Sequence, residues 1–514
     1  MVAAVDHLAA GAGLGILRAG GSAADAAVAT SAVLAVTTQY LCGLGGDLFA
    51  VIHDGSGGEV LALNASGRAG SGADPDRLRA EGHVVMPNFD HPASVPVPGC
   101  VDGWLALHDR FGRLPLSTLL EPALSYAADG FPASPGLAAA VPLIASRPAA
   151  GDYRVPGGVR TGTLIRRPGV ARALQAIADG GREAFYQGEF GDELVALGNG
   201  EYTPADLAEN QADWVPALSA AAWGHTLWTA PPNSQGYLTL AAAWIADGLD
   251  LPEDPDDPRW AHLLIEAARQ AGHDRPDLLH EGADGRALLD AARLTPRRAA
   301  IDPARASDLG APADAGDTIA LCAVDGDRQG VSLIQSNAMG WGSGLIVPAL
   351  GIFLHNRGRG FSLQPGHPAE YGPRRRPPHT LSPTLVTSPD GRLRAVTGTM
   401  GGDSQPQILL QLLARLLRSG QEPGHALAAG RFSLHAPHRS DGFNTWSAGG
   451  RVSVRIEGQA APGWQEGLRA MGHVVEVDPA FSSSFGHAHL IDIGPEVLAG
   501  GTDPRPRAGA AAGW

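Results

Sequence analysis

The stretch Ala315–Asn337, AGDTIALCAVDGDRQGVSLIQSN, holds two apolar runs, Ile319–Val324 and Val331–Ile334, on either side of a Gly/Asp-rich turn. Runs of this length around such a turn predict a buried β-hairpin. Two strands are not stable alone, so the hairpin demands a larger layered core around it. Its first run opens on Asp317-Thr318. A β-branched residue suits a strand start, and on that reading Thr318 does nothing more. The other reading is chemical. A threonine that becomes the first residue of a chain owns a hydroxyl nucleophile and an α-amine, of pKa about 8, that can take the hydroxyl proton. That reading requires peptide cleavage before Thr318.

The chain can supply the core. Its 514 residues predict two to three domains or one large two-part unit. Hydrophobic residues at 44% and charged residues at 18% place it with folded globular chains. A formal charge of -15 argues against a phosphate-binding surface, so nucleic acid is not expected as a partner. All 38 basic residues are arginines. The absence of lysine excludes a P-loop lysine, a Schiff-base lysine and a Ser-Lys dyad. Cys42, Cys100 and Cys322 are too scattered for a disulfide framework or a zinc site, and read as buried thiols. The opening MVAAVDHLAAGAG lacks a cationic segment followed by an apolar core, and no run approaches the ~20 apolar residues of a membrane span. The expectation is a cytoplasmic protein with no membrane partner.

A first helix ends at Gly20-Gly21, and Ser22 with Asp25 forms a capping box for a second, from Ala23 to about Val36. The segment GLGGDLFAVIHDGSGGEVLALNASGR predicts strands Leu48–His53 and Glu59–Leu63 around a Gly/Ser turn, with Arg68 leaving the hairpin. From about Leu114 to Arg298 the pattern is mostly helical, punctuated by Pro/Gly loops. From Asp317 onward strands dominate: the opening hairpin, then Gly351–His355, Leu381–Thr387, Leu393–Thr397, Arg451–Ile456, His473–Val477 and His489–Ile493. The pattern predicts mixed α and β layers with strands from both ends of the chain. Arg507–Trp514, RAGAAAGW, reads as a frayed tail.

Four further places invite chemistry. Strand Leu393–Thr397 feeds the loop Gly398-Thr399-Met400-Gly401-Gly402 and then an amphipathic helix carrying Leu409, Leu412, Leu413, Leu416 and Leu417, closed by Gly420. Adjacent glycines at a helix start either make a tight turn or offer two N–H groups to an oxyanion. Arg68, among small residues, is either a surface arginine or a donor fork for a carboxylate. In YGPRRRPPHTLSP, Arg374 and Arg375 read as a solvated cluster. The pairs His435/His438 and His487/His489 have metal-compatible spacing but thin support, so packing or surface roles are expected and no metal. GAGLGILRAGG begins a helix without a preceding strand and misses the dinucleotide spacing.

Four separated, ordered segments carry a resemblance: the opening MVAAVDHLAAGAGLGILRAGGSAADAAVATSAVLAV, GDTIALCAVD, SLIQSNAMGWGSGLIVPALGIFLHNRG and GTMGGDSQPQ. Together they resemble the gamma-glutamyltransferase (gamma-glutamyltranspeptidase) family of N-terminal-nucleophile hydrolases. The resemblance implies an α+β fold, a four-layer αββα sandwich, and a precursor that cuts itself between Asp317 and Thr318. Residues 1–317 would then be a helix-rich large subunit that contributes strands, and 318–514 a small subunit beginning at the nucleophile. It further implies Thr318 as nucleophile, Ser336 as its hydroxyl partner and Gly401 with Gly402 as the oxyanion pair. Arg68 would grip the substrate carboxylate, with His379, Thr380 and Asn356 beside the substrate. No metal or organic cofactor is implied.

One departure bears on substrate. Family members carry an acidic or amide residue where HNRGRGF has Gly360, and commonly a glutamine where it has Arg357. That residue holds the substrate's amino group, so the grip on an ammonium is lost while a grip on a carboxylate is kept. The chain resembles the less typical branch, with cephalosporin (glutaryl) acylases and oxamate amidohydrolases. The leading expectation is hydrolysis or transfer of gamma-glutamyl groups from glutathione-like amides, followed by glutaryl or oxamate-type amides. A rival class is an unprocessed, non-catalytic binding protein.

Overall fold

Along Ile319–Val324, Ile319, Leu321 and Ala323 enter one apolar core while Ala320, Cys322 and Val324 enter another. Side chains alternate along a strand, so a strand feeding two cores is covered on both faces. The computed structural model describes residues 1–55, 59–309, 318–435 and 452–514. Its first 309 residues supply strands β1 (Val2–Ala4), β2 (Asp47–His53), β3 (Val60–Ala65), β4 (Asp213–Pro216), β5 (Leu218–Ala222) and β6 (His225–Thr229). The remainder supplies β7 (Ile319–Val324), β8 (Gly330–Ser336), β9 (Thr384–Thr387), β10 (Leu393–Thr399), β11 (Ala488–Ile493), β12 (Leu498–Thr502) and β13 (Ala510–Ala512).

Two sheets follow, in the orders β13-β1-β7-β8-β2-β3-β4 and β12-β11-β10-β9-β6-β5. Phe49, Val51, Ala320, Ile334, Leu385, Val396 and Ile491 fill the space between them. The outer face of the first sheet, with Leu48, Ala50, Leu321 and Leu333, packs on helices Ala23–Thr37 and Cys100–Phe111, and helix Leu116–Asp129 lies against Ala23–Thr37. The outer face of the second, with Val386, Ala395 and Leu490, packs on helices Tyr237–Asp247 and Gln405–Leu413, and helix Pro258–Gly272 lies against both of these. The result is the expected four-layer αββα sandwich, with strands from both regions in each sheet and interleaved in the first.

Local signals hold where they are strong. The capping box forms, with Ser22 N–H to Asp25 Oδ2 and Asp25 N–H to Ser22 Oγ both at 3.0 Å. Every residue of the helix it opens, Ala23–Thr37, is buried, and eight of its side chains being alanine or serine lets it lie tightly between sheet and helices. The helix after the glycine loop also forms, turning to π geometry at Ala414–Arg418.

Three expectations are corrected. The middle third carries β4, β5 and β6, whose short, partly exposed sequences lack a continuous apolar run and are held by neighbours. The C-terminal segment is not frayed, because Ala510–Ala512 pairs antiparallel with Val2–Ala4 and closes the sheet edge. The same β1 precedes the helix His7–Arg18 that the glycine-rich opening forms, so that helix does follow a strand. Asp317 and His438, and the end of the expected strand at Arg451, lie outside the described residues.

Candidate active site

Register brings the chemistry together. β7 and β8 pair antiparallel with Ile319 opposite Gln335, and one step further Thr318 stands opposite Ser336. Ser336 is in turn the register partner of Asp47 on β2. Thr318 shares the parity of Ala320, Ser336 that of Ile334, and Asp47 that of Phe49, so all three project between the sheets. Thr318 Oγ1 and Ser336 Oγ are 2.9 Å apart, and both residues are fully buried. The Ala338 N–H donates to Ser336 Oγ at 2.8 Å, fixing that hydroxyl.

The second sheet brings the glycine pair to the same end. A Cβ built on Gly398 would lie 3.2 Å from Ala320 Cβ, whereas one on Gly330, beside Val324, would strike Leu393. β10 therefore runs opposite to β7, and Thr399–Gly402 continues past Ala320 toward Thr318. Gly401 has φ 139° and Gly402 φ 54°, a backbone region that suits glycine. Among the described residues, no protein group accepts from the N–H of either glycine. The loop is anchored by Gln235, whose Nε2 donates to the carbonyls of Gly402 and Thr380, both at 3.0 Å, and by an Arg275–Asp403 ion pair at 3.0 Å.

Around Asp47 lies a buried polar cluster. Its Oδ2 accepts from Arg357 Nε at 2.7 Å, His379 Nε2 at 2.9 Å and His355 Nδ1 at 3.3 Å. Arg357 Nη1 also donates to Thr380 Oγ1 at 3.0 Å. Burial would push the Asp47 carboxyl up, but the Arg357 guanidinium and the histidine hydrogen bonds hold it well below the usual carboxylate range. Burial, then the Arg357 charge, push His379 down to about 3 in spite of Asp47, so His379 is neutral.

The structure brings Thr318, Ser336, Gly401, Gly402, His379 and Thr380 to one end of the sandwich. Asn356 reaches it as a brace: its Oδ1 accepts from the Met339 N–H at 3.2 Å and its Nδ2 donates to Asn88 Oδ1 at 2.6 Å, tying down the turn after Ser336. Arg68 behaves differently. Its guanidinium is paired with Asp213 at 2.6 Å and donates to the Asn210 carbonyl, and Asp213 also takes Arg376 at 2.8 Å. None of its hydrogen bonds goes to Thr318, Ser336, His379 or Thr380. The histidine pair His487/His489 serves packing, bonded to Ser483 and Thr502 at 2.6 and 2.9 Å.

Sequence reasoning passed over Asp47 and Gln235 as site residues and noted Arg357 only as a departure from the family pattern. Asp47 had a usable signal: a carboxylate opening the apolar run Leu48–Ile52 is costly unless paired. A cleft of about 400 Å³ lined by Tyr40, Leu41, Gly340, Trp341, Met400 and His487 leads up to this end, Met400 being next to Gly401.

This arrangement can carry acyl transfer: a hydroxyl nucleophile beside a second hydroxyl, two N–H donors for a developing oxyanion, and a fixed polar wall. The family model described as Gamma-glutamyltranspeptidase matches residues 9–514. The oxamate amidohydrolase proenzyme of Klebsiella pneumoniae subsp. pneumoniae is 37% identical, over 100% of this chain and 98% of that protein. The glutathione hydrolase-like YwrD proenzyme of Bacillus subtilis is 34% identical, over 98% of this chain and 97% of that protein. Among solved structures, a cephalosporin acylase from Bacillus halodurans aligns with a TM-score of 0.89 at 34% identity, covering 100% of this chain and 95% of that one.

Proposed function

The chain belongs to the gamma-glutamyltranspeptidase family of hydrolases, and from that premise we propose that it is a self-processed threonine amidohydrolase whose substrate is an amide with a carboxylate on its acyl part. The observation that carries the proposal is the buried contact of 2.9 Å between Thr318 Oγ1 and Ser336 Oγ at the end where the N–H groups of Gly401 and Gly402 meet no acceptor among the described residues. Relatives named proenzymes support maturation of one precursor into two subunits, residues 1–317 and 318–514.

In maturation the Thr318 hydroxyl adds to the Asp317 carbonyl. The C–N bond breaks as the ester forms, which frees the Thr318 α-amine, and water then hydrolyses the ester to the Asp317 carboxyl and the Thr318 hydroxyl. In turnover that amine takes the hydroxyl proton while Oγ1 adds to the substrate carbonyl. The tetrahedral oxyanion lies on the N–H groups of Gly401 and Gly402, where one such donor is worth ~3 kcal/mol of barrier. Collapse expels the amine with the proton, and water or an acceptor amine takes the acyl group from the threonine ester. No step calls on a metal or organic cofactor.

Gly360 favours acyl groups without an ammonium. A Cβ there would lie 2.6 Å from the Pro378 carbonyl, so the backbone occupies the place of an amino-group ligand. Gamma-glutamyl amides are the second reading, favoured by relatives named glutathione hydrolases, at 30% identity for that of Pseudomonas aeruginosa. The roles of Arg68 and Asn356 follow from this reading as a carboxylate fork, in competition with Asp213, and a brace of the pocket wall.

The test is maturation and turnover together. Purified protein should run as two pieces on a denaturing gel, the smaller beginning at Thr318, and hydrolyse carboxylate-bearing amides. Thr318→Ala should stay one chain and be inert. A Thr318→Ala protein that still splits and turns over would overturn the proposal; an intact native chain that only binds acidic ligands would favour a non-catalytic binding protein.

A further inference from the structure

Asp47 is a carboxylate of the protein itself, held in one buried cluster with His379 and Thr380, two residues that the family resemblance sets beside the substrate. Its Oδ2 takes Arg357 Nε, His379 Nε2 and His355 Nδ1, while Arg357 also holds Thr380. Its Oδ1 is buried and accepts no hydrogen bond among the described residues. All of these side chains are buried.

Distance gives this arrangement a consequence. Asp47 is on β2, Ser336 on the adjacent β8 and Thr318 at the start of the next strand, so Asp47 stands two strands from the nucleophile. Two inter-strand spacings amount to about 10 Å. A scissile carbon sits ~3 Å from the attacking oxygen. An acyl chain of five carbons with a terminal carboxylate then carries its charge toward the Asp47 carboxylate. Two carboxylates sharing one buried cradle repel, and here both would draw on the Arg357 guanidinium. A two- or three-carbon acid stops short of Asp47 and keeps Arg357 and Thr380 on the far side of its carboxylate.

We infer that Asp47 is a specificity-determining residue that closes the acyl pocket, so that the enzyme prefers monoamides of short dicarboxylic acids to those of longer ones. The inference rests on the amidohydrolase reading above and adds the length of its acyl group. It also gives Gly360 a partner: the pocket has lost a ligand for an amino group and gained a wall.

The experiment compares kcat/KM for the monoamides of the two-, three-, four- and five-carbon dicarboxylic acids. The mature native enzyme should favour the two shortest. Asp47→Ser, which removes the wall and its charge, should raise the five-carbon to two-carbon ratio about tenfold or more. Where Asp47→Ser does not mature, Asp47→Asn, nearly the same volume without the charge, should raise the ratio in the same direction. A two-piece native enzyme that prefers the five-carbon amide overturns the inference alone, as does a matured Asp47 variant with an unchanged ratio. An uncleaved chain inert toward all four amides overturns the amidohydrolase reading and this inference with it.

Discussion

Gln235 Nε2 donates to the Gly402 carbonyl at 3.0 Å, so a residue upstream of Thr318 holds the loop that carries the proposed oxyanion donors. The same nitrogen holds the Thr380 carbonyl, which ties the loop to the polar wall. Replacing Gln235 with Ala leaves two buried carbonyls short of a donor, at a cost of ~1–3 kcal/mol in stability. The matured variant should lose about tenfold in kcat with KM little changed, because a loosened oxyanion loop acts on the transition state. Steady-state kinetics over a substrate range checks this, and a pure KM effect would refute it.

Ser336→Ala removes the hydroxyl at 2.9 Å from Thr318 Oγ1 and leaves the Ala338 N–H without its acceptor. A hydrogen bond to a charged or developing group is worth ~1.5–3 kcal/mol, which converts to a loss of roughly 10–100-fold in kcat/KM. Ser336→Thr keeps the hydroxyl and should recover most of it. Equal activity of the alanine and threonine variants would show that the hydroxyl is idle.

Gly401→Ala tests the loop directly. At φ 139° an alanine is strained, and its Cβ would lie 2.9 Å from Ile408 Cδ1. The strain costs of order 1–3 kcal/mol, small enough for the chain to fold. Turnover should drop by about 10²-fold or more, as expected for displacing an oxyanion donor. A folded variant with native kcat would remove this loop from the mechanism.

Acid should unfold the protein early. His379 and His489 are held down at about 3 and His487 at about 4, in each case first by burial. An unfolded histidine takes its proton near pH 6.5, so between that value and about 4 the unfolded chain binds protons that the native chain refuses. A depressed histidine thus contributes stability above its unfolded pKa and loses it as pH falls, at up to roughly 1 kcal/mol per pH unit for each group. The Asp47 carboxylate, held low by Arg357, loses its share in the same direction. The melting temperature should be flat above about pH 7 and fall steadily below about 6; a flat profile down to about pH 5 would contradict the buried neutral state.

Much of the fold can be read without coordinates, and the reason is local. Ile319–Val324 and Leu48–Ile52 are short, apolar on both faces and bounded by turn residues, which suits a strand between two cores, and Ser22 with Asp25 marks a helix start through bonds spanning three residues. The strands that escape notice, Leu218–Ala222 and His225–Thr229, sit at one edge of the second sheet, half exposed, and owe their conformation to pairing with each other and, through His225–Thr229, with Thr384–Thr387 rather than to their own composition. The tail Ala510–Ala512 is strand only because Val2–Ala4 lies beside it.

The site divides in the same way. Thr318 before an apolar run and two glycines before a helix are visible as short patterns, whereas Ser336 is singled out only by the family resemblance and meets Thr318 through strand register. The cradle around Asp47 has no such pattern: Asp47 and Arg357 are 310 positions apart, His379 is 332 from Asp47, and Arg68 proves committed to Asp213. Local order follows from backbone periodicity and capping, which act over a few residues. Which buried charge faces which is settled by the stacking of two sheets, where desolvation makes each unpaired charge too costly to leave and so selects partners from opposite ends of the chain.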